Sequence, residues 1–236
     1  MLEPDPVARV VATHTGPPGV GENPNAMQIL MTEHWSLLAS RGFVYTEAMS
    51  RATIFIAALS GSVVALALVA QATDFGSGFV AFALVLLPVD FFLGLVTVVR
   101  LMQVGVEDAT WIQGMNRIRH AYLELAPELE PYFVTSRYDD DAGMLLSSLG
   151  RRKPVGPGQA FLAIPGLVAV VSAVVLGAIA GIAGLGLGLE TLGCLLVGAV
   201  GLLLGVTVFA ILGWRMIRAH IAQIEVRFPT PGTAGD

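Results

Sequence analysis

The sequence predicts an all-α integral membrane protein, with four transmembrane helices in two hairpins and helices that continue past the membrane as a cytosolic stalk. Two observations carry this. Of 236 residues, 55% are hydrophobic and only 13% charged, against about 25% charged in an ordinary soluble domain, and the mean hydropathy is +0.74. Four apolar windows, residues 53–72, 78–99, 160–182 and 191–213, are each long enough to cross a hydrocarbon core about 30 Å thick at about 1.5 Å per residue.

Taken in order, the chain begins with residues 1–25, which lack the basic start and apolar core of a cleavable signal. They read as a disordered tail. Residues 26–126 form a unit of amphipathic helix, first transmembrane hairpin and helical extension. Before the first span, Met27, Leu30, Met31, Trp35, Leu38, Tyr45 and Met49 recur at helical steps. After the second, Leu101, Val104, Asp108, Trp111, Met115, Ile118, Tyr122 and Leu125 repeat the pattern, interrupted once by Asp108 and stopped by Pro127. Two antiparallel helices leaving the membrane side by side would bury these stripes, with Trp35 and Trp111 among them, against each other. Residues 127–158 are an acidic connector in which Asp139, Asp140 and Asp141 precede "AGMLLSSLG", a composition that suits the start of a short helix through capping and the helix dipole. The alternation of ligands that a calcium-binding EF-hand needs is missing there. Residues 159–228 hold a Gly-rich second hairpin and an amphipathic tail with Ile217, Ile221 and Ile224 on one face, and residues 229–236 read as disordered.

Charge sets the orientation, because Lys and Arg near the spans are retained in the cytoplasm. Arg9, Arg41 and Arg51 precede the first span, seven cations from Arg100 to Lys153 lie between the second and third, and Arg215, Arg218 and Arg227 follow the fourth, while the other two loops have none. Both termini and the central segment are expected in the cytoplasm, under a cell membrane whose lipid surrounds the spans, with Trp214 as an interfacial anchor.

The stretches "EHWSLLASRGFVYTEAMSRA" and "MNRIRHAYLELAPELEPYFV" resemble a group of small multi-pass membrane proteins of unknown function from high-GC actinobacteria, over residues 27–149. The preference for Arg over Lys, twelve to one, suits such a genome. The resemblance implies a bacterial membrane protein and transfers no activity, cofactor or site residue.

Motifs of chemistry are scarce. A formal charge of -5 without a basic stripe gives no footprint for nucleic acid. There is no nucleophile elbow, Walker sequence or zincin pattern, so the chain is not expected to be an enzyme or to carry a cofactor. His120 and Glu124 have a metal-ligand spacing, but one pair reads as a solvated face. Cys194, the single cysteine, sits in an apolar run and reads as a packing residue. The glycines of the second hairpin, Gly177 with Gly181 and Gly201 with Gly205, have the four-residue spacing that lets membrane helices approach closely. Packing of the third span on the fourth and self-association into a homo-oligomer both fit.

One residue stands out. Asp90 lies inside "ALVLLPVDFFLGLVTVVR", where a bare charge costs roughly 3 kcal/mol on insertion scales. The register of a short hairpin places it opposite Ser60 and Ser62, with Ser172 near the same depth and Thr207 about a turn further inward. This polar layer has two readings: hydrogen bonding that holds the hairpin in register, or a cation or proton pathway beside Pro88. Two functions follow. The first is a non-enzymatic membrane protein that docks or scaffolds a cytosolic partner through its stalk. The second is a small oligomeric channel or ion-coupled transporter built on Asp90.

Overall fold

A computed structural model describes residues 20–150, 163–221, 223 and 225–232. Among these residues there is helix and no strand. Helix α1 (Ala26–Thr73) and helix α2 (Ser77–Leu125) are 48 and 49 residues long, about 72 Å each and more than twice the thickness of a hydrocarbon core. A 3-10 turn, Pro127–Tyr132, leads to the short α3 (Asp141–Leu149). Helix α4 (Ile164–Gly186) and helix α5 (Thr191–Ile221) complete the chain. Helices α1, α2, α4 and α5 are long and apolar enough to span a membrane. The third predicted window opens at residues 160–162, outside the described residues.

Each hairpin is closed by a tight connection. At the first, Asp74 and Phe75 both take left-handed backbone conformations, with φ of 46° and 58°, a strained choice for side-chain-bearing residues. Packing of the Phe75 ring edge-on against Phe79, with centroids 5.3 Å apart, accompanies it. At the second, Gly188 supplies the positive φ at no steric cost.

Helix α2 is the middle of the molecule, with α1 along one side and α4 along the other, and α5 packs chiefly on α4. The main apolar core lies where three of these helices meet: Phe55 of α1, Val98 and Leu101 of α2, and Val168 and Ala173 of α4, joined by Phe209 of α5. A second cluster, nearer the short connections, is built on Ala83, Leu87 and Val175. The α4/α5 contact is backbone on backbone. A Cβ at Gly177 would stand 2.8 Å from the Gly198 carbonyl, and at Gly201 or Gly205 2.9 Å from the Cβ of Ala180 or Ala173. At Gly181 it would meet the Cys194 carbonyl at 3.3 Å. These glycines are thus spent on packing the third span against the fourth.

Beyond the spans, α1 and α2 stay together as predicted, but on a different face of α1. The stripe on α2 is buried at Leu101, Val104, Met115 and Ile118. On α1, the residues turned to α2 are Leu37 and Ala48, with Leu30 and Val44 beside them. Met27, Met31, Trp35, Leu38, Tyr45 and Met49 of the predicted stripe are exposed, Trp35 by 65%. Helical spacing reveals that a face is apolar and leaves open which neighbour covers it. The interruption at Asp108 is answered across the pair, since Arg41 donates to it through Nε at 2.5 Å and a terminal nitrogen at 3.2 Å.

Candidate functional site

Three places concentrate polar groups: the layer around Asp90 inside the spans, the membrane end of the stalk, and its far end.

Asp90 is buried, 3% exposed. Its Oδ1 accepts a hydrogen bond from the Ser62 hydroxyl at 3.0 Å, tying α2 to α1 at the predicted register. Its Oδ2 is buried without a hydrogen-bond partner among the described residues. The rest of the predicted layer separates. Ser60 is exposed and returns its hydroxyl to the Ile56 carbonyl of its own helix, and Thr207 likewise to Leu203. Ser172 is fully buried and bonds Val168 at 2.8 Å. Its Oγ faces α2 one turn from Asp90, at Gly94, where an added Cβ would collide with it and stand 2.9 Å from the Phe55 ring. Asp90, Ser62 and Ser172 thus line the contacts of α2 with its two neighbours, and Ser60 and Thr207 turn outward.

At the membrane end of the stalk, Glu47 of α1 accepts two hydrogen bonds from the Arg100 guanidinium, at 2.8 and 2.9 Å, and one from Arg51 at 2.8 Å. Arg100 also reaches Glu107 at 2.7 Å. Hydrogen bonds from Arg100 and then Arg51 outweigh partial burial and hold the Glu47 carboxyl at about 2. The two carboxylates in turn raise Arg100 further above its ordinary value.

At the far end, Leu37, Ile112, Met115 and Ile118 form a small core with Trp111 and Met144 against it. Asn116 is completely buried in this core. It donates to the Tyr138 carbonyl at 2.7 Å and accepts from Ser147 and Arg119, both at 2.8 Å. One amide thereby joins α2, the connector and α3. The acidic run starts α3 as predicted: Asp140 is its N-cap and accepts from the Gly143 amide at 2.8 Å. Gly143 must be glycine, because a Cβ there would overlap the Tyr138 carbonyl.

The acidic run also does something that its local sequence gives no sign of. Asp139 is fully buried and accepts from Arg117 at 2.7 Å and from the backbone amides of Arg227 and Phe228, the latter at 2.7 Å. Its own amide donates to the Phe228 carbonyl at 3.1 Å. Asp140 accepts from both the amide and the hydroxyl of Thr230, each at 2.9 Å. Arg117 and Gln113 hold the Glu225 carbonyl, and the Phe228 ring stacks on His120, with centroids 3.9 Å apart. Residues 225–232 are therefore docked on the stalk. Burial pushes the Asp139 carboxyl up, but the hydrogen bonds from Arg117, Phe228 and Arg227 outweigh it, and the group lies below the usual carboxylate range.

His120 lies 3.6 Å from Glu124, and no third ligand joins them: among the described residues no group of three His, Cys, Asp or Glu side chains is placed to hold a metal. Of the tail stripe, Ile217 and Ile221 are exposed, and Ile224 lies outside the described residues. The Trp214 ring carries the Arg218 guanidinium 4.7 Å from its centroid, a cation–π pair. Comparison with known protein families, with characterised proteins and with solved structures gives no match.

Proposed function

We propose that this chain is a non-enzymatic membrane protein that docks or scaffolds a protein partner through its stalk, with the stalk and both termini on the cytoplasmic side of the cell membrane. The carrying observation is the folded end of the stalk, where α2, the connector, α3 and residues 225–232 are drawn together by Asn116, Asp139 and Asp140. A connection between two spans needs only a few residues; this one encloses its own core and clamps the chain's tail, as a rigid recognition surface requires. The orientation rests on charge. The connections at 74–76 and 187–190 hold no Lys or Arg, and every described Arg lies beyond the other ends of the spans.

A second reading has one observation in its favour, the buried Oδ2 of Asp90 without a partner among the described residues, which offers a place for a proton or small cation in a channel or ion-coupled transporter. Two measurements on the full chain separate the readings. Crosslinking in native membranes followed by affinity isolation is expected to recover a stoichiometric protein partner, and liposomes containing the purified chain alone are expected to pass no ions. Ion flux from the purified chain that disappears in Asp90→Asn would overturn the docking reading in favour of the second.

A further inference from the structure

The exposed face of α1 below its span has no partner among the described residues. Met31, Trp35, Leu38, Gly42, Tyr45 and Met49 follow one another at alternating steps of four and three, the spacing of knob positions in a coiled coil. All six are exposed, Trp35 by 65% and Tyr45 by 64%. The face lies about a quarter turn from the side that α1 turns to α2, and at about 100° per residue it continues into the span through Thr53, Ile56 and Ser60. It does not lie on the bilayer surface. Below the span α1 stays against α2, with Glu47 bonded to Arg100, Arg41 to Asp108, and Leu37 packed among Ile112 and Met115. The seam therefore projects away from the membrane along the stalk.

The geometry points to a second copy of this chain as the occupant, docked α1 to α1 in parallel about a twofold axis along the membrane normal. Two copies inserted the same way have their α1 helices co-oriented and at equal depth, so each seam residue meets its own counterpart. Such a seam must hold no charge, since like charges would face each other across the axis. The stalk part of α1 carries Glu33, Arg41, Glu47 and Arg51, and all four fall off the seam; the last three are tied into ion pairs. Gly42 supplies an independent sign. It sits inside a helix where glycine costs about 1 kcal/mol relative to alanine, and among the described residues a Cβ there would meet nothing within 4 Å. At the middle of a helix-to-helix seam the missing Cβ lets two backbones approach, as Gly177 and Gly198 do between α4 and α5. This pairing rests on the seam alone and not on the docking reading.

The test is disulfide formation in native membranes by the full chain in a Cys194→Ser background. Single substitutions Leu38→Cys, Gly42→Cys and Tyr45→Cys sample the seam, and Ser36→Cys and Glu33→Cys sample other faces. The expected result is a covalent homodimer at the three seam positions, at least about tenfold above the two controls. Adding Trp35→Ala should shift the equilibrium about tenfold or more toward monomer, as loss of an interface anchor does, at unchanged abundance in the membrane. Equal crosslinking at seam and control positions would mean random collision and overturn the pairing. A seam crosslink to a product of different mass would give the face to another protein. Seam cysteines that form no dimer would overturn it too, whether a thiol reagent labels them freely, leaving the face open, or fails to, giving it to a segment of the same chain.

Discussion

Asp90 shows how the cost of one carboxylate in a span is reduced. It faces α1 and takes the Ser62 hydroxyl, and interhelical hydrogen bonds of this kind in membranes contribute about 0.6 kcal/mol on average and up to about 1.7. Ser62→Ala should therefore cost about that much in unfolding measurements in detergent. Asp90→Asn, which keeps an acceptor of the same shape, should stay within about 0.5 kcal/mol of wild type, whereas Asp90→Leu adds volume at a packed position and should cost about 1 to 3 kcal/mol. Gly94 makes a sharper case. Its Cα faces Ser172 and Phe55 without room for a methyl group, so Gly94→Ala should destabilise by about 1 to 3 kcal/mol. Combining it with Ser172→Ala should recover part of the loss by removing the colliding oxygen. An additive double variant would show that the helices had instead moved apart.

At the scale of elements, the two stalk helices separate what a hydrophobic stripe means from what covers it. Trp111 packs against the core of Leu37, Ile112, Met115 and Ile118, and Trp111→Ala should cost about 3 kcal/mol, the lower end for a buried large aromatic. Proteolysis of the stalk should accelerate while the spans remain inserted. Trp35 is exposed, so Trp35→Ala should leave protease resistance within the monomer unchanged. Equal sensitivity of the two variants would contradict these positions.

Over the whole molecule, the tail is held to the stalk by residues almost ninety positions earlier, and its release should be visible directly. Trypsin cuts after Arg227, whose amide is bonded to Asp139 in the docked state. Hydrogen bonds to a charged acceptor contribute about 1.5 to 3 kcal/mol each, so Asp139→Asn should speed release of the fragment 228–236 about tenfold or more, as read by mass spectrometry. The sign with pH follows from the depressed Asp139 carboxyl: its contribution is fully present above the ordinary carboxylate range and is lost as pH falls through the lower value of the folded state. Hydrogen exchange of the Phe228 amide should accordingly remain protected at neutral pH and lose protection only in acid below about pH 4. Loss of protection already between pH 6 and 7 would contradict the carboxylate as the latch.

The sequence by itself determined the four spans, the antiparallel register that sets Asp90 against Ser62, the start of α3 at the acidic run and the close packing of the second hairpin. These depend on composition, on a period of 3.6 residues and on glycine spacing, all readable within one or two dozen residues. Only the tertiary structure decided which apolar face of α1 meets α2, that Ser60 and Thr207 turn outward while Ser172 turns in, and that Asp139 binds the tail. Each of those choices depends on how two helices are rotated against each other, or on partners far apart in the chain. A Cβ stripe fixes neither, because it records where apolar surface lies and carries no information about the element that buries it.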